Sequence, residues 1–327
     1  MGRKLSVVYG GQWGSEGKGQ IIAHLAQGEW ERNASPYYAV RVGGPNAGHS
    51  FTDPDGREVK VQSVPVPAFL SPLARPVIGA SGVIIPELLE REMAYINDHL
   101  GWDTPIFVDN GAAIITAEHM EAEAQMKVSI GSTGEGVGAV TAEKVMRRAI
   151  TLGNEYQAAA LRHEEGSGWL RHVVPVESVS LLNNSGWNVA IEGTQGYLLS
   201  LNVSGYYPFV TSRDCGPEAL CGQVGVSPRS FDEVEIICVM RTFPIRVGGN
   251  SGPLPNEITW DALRAETAGY IKEPERTTVT KKIRRIARWD EHSMARVVQE
   301  TRPTAIALTF LAYVFPSAHH ATCQDDL

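Results

Sequence analysis

Read from the amino terminus, the chain shows short apolar runs closed by glycine more than strict alternation of apolar and polar positions. Leu5-Ser-Val-Val-Tyr9 stops at Gly10-Gly11, the pattern of a strand buried on both faces that feeds a glycine turn. Tyr38–Val42, Pro76–Gly79, Ile106–Val108, Val189–Glu192, Glu235–Met240 and Ala305–Thr309 are candidates of the same kind. Helical patterns lie between them, at about Gly17 to Ala26, Pro86–His99, Thr141–Ala149 and Tyr156–Glu164. Strands that alternate with helices predict an α/β fold, a central and mainly parallel sheet flanked by helices. No linker or internal repeat divides the chain, so residues 1–327 are expected to form one large domain.

Composition narrows this only a little. With 43% hydrophobic and 20% charged residues the chain is an ordinary globular one. Its 29 Lys and Arg against 37 Asp and Glu give a net charge of −8, which argues against general nucleic-acid binding through a positive field. The apolar stretch from Ala305 to Phe315 is interrupted by Thr309 and is shorter than the ~20 residues that span a bilayer. Met1-Gly-Arg-Lys4 leads directly into the first apolar run without a signal core. No membrane partner and a cytoplasmic location are the expectations. The four cysteines lack CxxC spacing and suggest neither zinc nor a disulfide framework.

The 33 glycines change the picture more, because many gather in a few segments beside candidate chemistry. Gly10-Gly-Gln-Trp-Gly-Ser-Glu-Gly-Lys-Gly19 lies between a predicted strand and a predicted helix. Such a turn offers backbone N–H groups and a positive helix end to phosphate, with Lys18 to neutralise it. It is P-loop-like without matching the strict pattern, since Gln12 and Gly19 stand where a glycine and a Ser/Thr belong. Val42-Gly-Gly-Pro-Asn-Ala-Gly-His-Ser50 places His49, a residue able to act as acid or base, in a second glycine loop. Gly131-Ser-Thr-Gly-Glu-Gly-Val-Gly138 offers hydroxyls and backbone donors suited to a phosphate, ahead of a helix expected to end at Lys144-Val-Met-Arg-Arg148. Glu192-Gly-Thr-Gln-Gly196 follows a strand, and Tyr206-Tyr-Pro-Phe-Val-Thr211 comes after it. Each segment alone is also compatible with a solvated loop.

In their order and wording the four segments resemble adenylosuccinate synthetase, whose family reads GxQWGDEGKGK, GGxNAGH, STGxGxGP and EGxQG…YPxVTS. The resemblance runs over about residues 5 to 290. It implies a homodimer and a two-step reaction. The γ-phosphoryl group of a nucleoside triphosphate goes to O6 of a 6-oxopurine nucleotide, and the amino group of L-aspartate then displaces that phosphate at C6. Carried over residue by residue, Lys18 and the loop residues Gly14, Glu16, Gly17 and Gly19 meet the donor phosphates, with Gly48 and Ser50 nearby. His49 becomes the general acid at O6. Ser132, Thr133, Asn46, Gln195 and Thr211 surround the acceptor, and Arg147 reaches its 5′-phosphate from the partner subunit. The aspartate loop corresponds to Thr277–Arg285, with Thr280, Lys282 and Arg284 as its binding residues. Mg²⁺ is implied by the phosphoryl transfer, with the Gly48 carbonyl and Ser15 as its expected protein ligands.

Two departures bear on the substrates. Ser15 replaces the family's catalytic aspartate; that carboxylate would crowd the 2-amino group beside N1 of guanine, and a serine leaves room for it. The same combination marks a phage-type branch of the family, the 2-amino-2′-deoxyadenylosuccinate synthetases that begin diaminopurine DNA synthesis from dGMP and L-aspartate. The short chain is in keeping with that branch. Further on, Leu308-Thr-Phe-Leu-Ala312 replaces the family's TKLD segment. Ala312 cannot accept hydrogen bonds from guanine, so ATP or dATP is the expected donor, with Phe310 stacking on its base or serving as an ordinary core ring. The expected product is N6-succino-2-amino-2′-deoxyadenylate, with ADP and phosphate. The alternatives are an IMP-using adenylosuccinate synthetase, a nucleotide sensor without catalysis, and a kinase that does not use aspartate. Ser15, Lys18 and His49 are the expected catalytic residues, and the base that replaces the aspartate is left open.

Overall fold

The computed structural model describes residues 2–315, apart from 31–34, 54, 125, 165, 268–270, 272 and 278–280. Eight strands form the central sheet: β1 (Lys4–Gly10), β2 (Tyr37–Val42), β3 (Ala74–Ile78), β4 (Ile106–Asp109), β5 (Val173–Val176), β6 (Asn188–Gly193), β7 (Glu233–Arg241) and β8 (Ala305–Thr309). Their order across the sheet is β8-β7-β1-β6-β2-β3-β4-β5, and every pairing is parallel. The expected single α/β domain with a mainly parallel sheet is therefore the architecture observed.

The apolar runs are continuous because both faces of the sheet are covered. Leu5, Val7 and Tyr9 of β1 enter one apolar cluster with Leu220, Met294 and Val297, while Val8 enters the other with Ile22, Phe69 and Met93. Helices α1 (Lys18–Leu25) and α2 (Pro86–Leu100) supply the second cluster. The helix 217–224 and the helix 291–301 supply the first.

The sheet differs from the sequence expectation at its far edge. β5 escapes the buried-run pattern because it is four residues long, contains Pro175 and leaves Val174 exposed. Helix α3 (Ala117–Ala122) is also new, and α4 (Val137–Val145) begins four residues earlier than expected and ends earlier. Arg147 stops it by taking a left-handed conformation, φ +62°. The helix expected from Tyr156 begins at Leu152, because Asn154 and Thr151 form a capping box. The basic stretch before Arg288 is not a helix; Arg285–Ala287 pairs with Ile245–Arg246 and Glu257–Ile258 in a small antiparallel sheet.

With all strands parallel, the carboxyl ends of β8, β7, β1, β6 and β2 share one edge, and the strand order switches direction there, with β6 inserted between β1 and β2 and β7 and β8 on the other side of β1. That edge is where an open α/β sheet holds its ligand.

Candidate active site

The phosphate loop leaves β1 and enters α1 through Gly17, whose φ of +92° is a left-handed cap that an L side chain rarely adopts. Gly19 is required for a different reason. A Cβ there would stand 2.7 Å from the Ser50 carbonyl and 2.9 Å from the His49 Cβ, so the start of α1 lies directly against the short strand His49–Thr52. Inside the loop, the fully buried Glu16 accepts from the backbone N–H groups of Gln12 (3.1 Å) and Gly14 (2.8 Å) and pairs with Lys18 Nζ at 2.7 Å. Its carboxylate thus braces the loop from within instead of facing a donor nucleotide. Lys18 also donates to the Gln195 carbonyl at 2.5 Å, which ties the loop to the end of β6.

Ser15 is exposed at the crest of the same loop, with φ +57°. Its hydroxyl accepts from Arg284 Nη1, and its carbonyl accepts from Arg241 Nη1 at 3.2 Å. Arg284 is half-buried and its neighbour Arg285 is tied to Glu257 and the Gly252 carbonyl, so of this adjacent pair it is Arg284 that faces the loop. Lys282 is exposed, with its backbone N–H bonded to Thr277 Oγ1, and Thr280 lies outside the described residues.

His49 is buried in a cluster that its sequence segment did not announce. Nδ1 lies 2.5 Å from Glu192 Oε1 and 3.0 Å from Arg41 Nη1, Arg41 and Glu192 are themselves ion-paired, and Nε2 has no partner among the described residues. Burial first and the Arg41 charge second bring the His49 pKa down to about 4, against the opposing pull of Glu192. Burial works against charge on Glu192, yet Arg41 and His49 outweigh it and hold that carboxyl below its usual range. Arg41 also donates to the Ala47 and Gln62 carbonyls and so fixes the loop that carries Asn46 and Gly48.

Asn46, Ser132, Thr133, Gln195 and Thr211 meet in one pocket, as five of the expected acceptor contacts would. Trp13, Glu123, Phe209 and Arg246 also line it and were not anticipated. Arg246 is 3% exposed, and its recorded hydrogen bonds are to the Phe209 and Pro253 carbonyls, both at 2.7 Å. Burial and the nearby Arg285 lower its pKa to about 10. Arg147 is exposed and does not line this pocket.

On the other side of the loop, Thr309 at the end of β8 donates to the Glu16 carbonyl at 2.6 Å. Phe310 follows in a left-handed conformation, half-buried, with one ring face covered by the Arg241 guanidinium at 3.7 Å. Its edge comes within 3.6 Å of the position a Cβ on Gly17 would take. Arg241 is itself fully buried and paired with Glu275, which also accepts from the Tyr313 hydroxyl. The ring therefore stands beside the phosphate loop and outside the two sheet cores. Among the described residues no three His, Cys, Asp or Glu side chains gather as a metal site, and no helix is long and apolar enough to cross a membrane.

A glycine-rich strand–helix loop, a buried imidazole and a polar pocket thus lie at the carboxyl edge of one parallel sheet. The adenylosuccinate synthetase family model matches residues 7–173 and 170–315, and the chain belongs to that family of carbon–nitrogen ligases. It is 35% identical over 326 residues to the adenylosuccinate synthetase of Methanococcus aeolicus, covering 98% of this chain and 89% of the relative. The Pyrococcus sp. (strain ST700) adenylosuccinate synthetase is also 35% identical, with 98% and 88% covered. Among solved structures, the cyanophage S-2L succinoaminodeoxyadenylate synthetase, bound to dGMP and to dATP as an energy donor, superposes with a TM-score of 0.77 at 26% identity. That match covers 95% of this chain and 85% of the cyanophage one. The fully ligated Plasmodium falciparum adenylosuccinate synthetase shares the fold with a TM-score of 0.75 at 23% identity, over 94% and 77% of the two chains. The close match in extent to the archaeal relatives removes chain length as a mark of the phage-type branch.

Proposed function

We propose that this protein joins L-aspartate to C6 of dGMP through a 6-phosphoryl intermediate, with ATP or dATP as phosphoryl donor. The observation that carries the reading is Ser15, a short side chain at the loop crest where the family has its aspartate, held by Arg284 and leaving space beside N1 for a 2-amino group. The ligands named for the cyanophage structure support it. An IMP-using enzyme is the second reading, favoured by the names of the curated relatives.

In this reading the acceptor occupies the pocket of Asn46, Ser132, Thr133, Gln195 and Thr211. Lys18 and the Gly14–Gly19 backbone hold the transferring phosphoryl group. His49 delivers a proton toward O6 from Nε2, with Glu192 and Arg41 fixing the ring. Its low pKa in the free protein must rise when phosphate charge arrives beside it. Arg284, with Thr280 and Lys282, takes the carboxylates of L-aspartate; an arginine fork suits a dicarboxylate. Arg147 reaches the acceptor phosphate of the partner subunit in a homodimer, in keeping with its exposure and its absence from the lining of its own pocket. Phe310, half-buried beside the loop, stacks on the donor base, and Ala312 leaves guanine without an acceptor.

The residues present suit Mg²⁺ only as an ion held largely by substrate, because Glu16 is committed to backbone amides and Lys18. The Gly48 carbonyl and phosphate oxygens are the ligands of choice, since the Ser15 hydroxyl already accepts from a cation. When bound, the ion neutralises charge that develops on the phosphoryl oxygens.

The test is phosphate release by the purified protein with Mg²⁺, ATP and L-aspartate, offered dGMP, GMP or IMP, each component being omitted in turn. Aspartate-dependent turnover with dGMP and not with IMP is the expected result. Turnover with IMP alone returns the protein to AMP synthesis.

A further inference from the structure

The glycine segment before α4 reads as a ready phosphate cradle, but three of its backbone donors at the start of the helix are already occupied. Glu123, 4% exposed, accepts from Gly136 N at 2.9 Å, from Gly138 N and from Ala139 N at 3.0 Å. One internal carboxylate thus satisfies three amides at the start of α4, whose cap residue Gly136 has no side chain to do so. The same Glu123 lines the pocket shared by Ser132, Thr133, Asn46 and Gln195. It stands at the carboxyl end of α3, and a second tie joins the two helices, His119 Nε2 to Glu143 Oε2 at 3.0 Å. The other His119 nitrogen, Nδ1, accepts from Thr116 N at 2.9 Å and so secures the start of α3.

We infer that Glu123 is a positioning residue for the acceptor nucleotide: its carboxylate holds the Ser132–Ala139 segment in the binding geometry and excludes the acceptor's phosphate from the α4 amides. A dianion cannot share those three N–H groups with a buried carboxylate, since like charges at that distance repel strongly. The phosphate is thereby directed to hydroxyls and to a cation supplied from elsewhere. The ordered segment also presents Ser132 and Thr133 without a loop-ordering cost at each binding event. This inference rests on the pocket being the acceptor site, as proposed above.

The test takes the 6-oxopurine nucleotide that the wild-type protein turns over, so that a wrong acceptor assignment shows in the wild type before any variant is read. In Glu123→Ala the acceptor KM is expected to rise by about tenfold or more while the KM values for ATP and aspartate stay near wild type. Acetate replaces the lost methylene and carboxylate, so added acetate is expected to lower the acceptor KM of Glu123→Ala and to leave the wild type unchanged. Glu123→Gln, of equal volume but with an amide donor facing backbone donors, carries the test if the alanine protein does not fold. It is expected to show the same selective rise without a response to acetate. An unchanged acceptor KM in the variants overturns the inference. So does a parallel change in all three KM values with no acetate response in Glu123→Ala.

Discussion

The Ser15 hydroxyl accepts a hydrogen bond from the guanidinium of Arg284, 269 residues further along the chain. The loop proposed to hold phosphate and the stretch proposed to bind a dicarboxylate therefore meet at the residue that departs from the family pattern. Ser15→Asp would place a carboxylate beside Arg284 and against the 2-amino group of a bound guanine. Turnover with dGMP is expected to fall roughly a hundredfold while turnover with IMP rises. Phosphate release measured with each acceptor reads this out; equal losses on both would sink the role assigned to Ser15.

The buried imidazole makes stability depend on pH with a definite sign. The folded-state pKa of His49, about 4, lies below the unfolded value of ~6.5, so protons favour the unfolded chain. This contribution to stability is complete above pH ~6.5 and is lost as pH falls toward about 4. Urea unfolding at pH 7 and pH 4.5 should show a smaller acid loss for His49→Ala than for the wild type, and the same variant should lose roughly 10²–10⁴-fold in turnover at pH 7. An identical acid loss in both proteins would remove His49 from the account.

Glu192 balances Arg41 and orients His49 at once. Glu192→Gln leaves a buried guanidinium without its carboxylate and is expected to cost about 3–5 kcal/mol of stability in urea melts. It should also push the His49 pKa lower still, because Glu192 is the group that raises it. A titration of the His49 ring resonances checks the direction.

On the donor side, Phe310→Ala removes the ring beside the phosphate loop. The KM for ATP should rise about tenfold, with the acceptor KM little changed. Ala312→Asp should add use of GTP, because an aspartate accepts from guanine N1–H and the 2-amino group. Competition between ATP and GTP in single-turnover phosphate release separates these outcomes.

If Arg147 acts across a dimer, a protein with Arg147→Ala and a protein with Lys18→Ala should each be nearly inactive and should recover activity when mixed and allowed to exchange subunits. Half of the dimers would be hybrids with one complete site each, so about a quarter of wild-type activity is the expected ceiling. No recovery despite demonstrated subunit exchange would place Arg147 in its own pocket or outside the reaction.

The amino-acid sequence by itself determined seven of the eight strands of the sheet, all but the edge strand β5, and the address of the candidate site. Strands buried on both faces must be apolar throughout, so β1, β2, β6 and β7 are legible as runs, and the glycine loops after them mark the candidate site. Only the tertiary structure decided which charged groups act together. Arg41 and Glu192 are single charges in apolar strands 151 positions apart, and Glu123 finds its partners 13 to 16 residues later across a helix boundary. Periodicity records which face of an element is buried. It carries no information about which distant charge shares that burial, because pairing in the interior is set by strand order and by the cost of leaving any one of these groups alone.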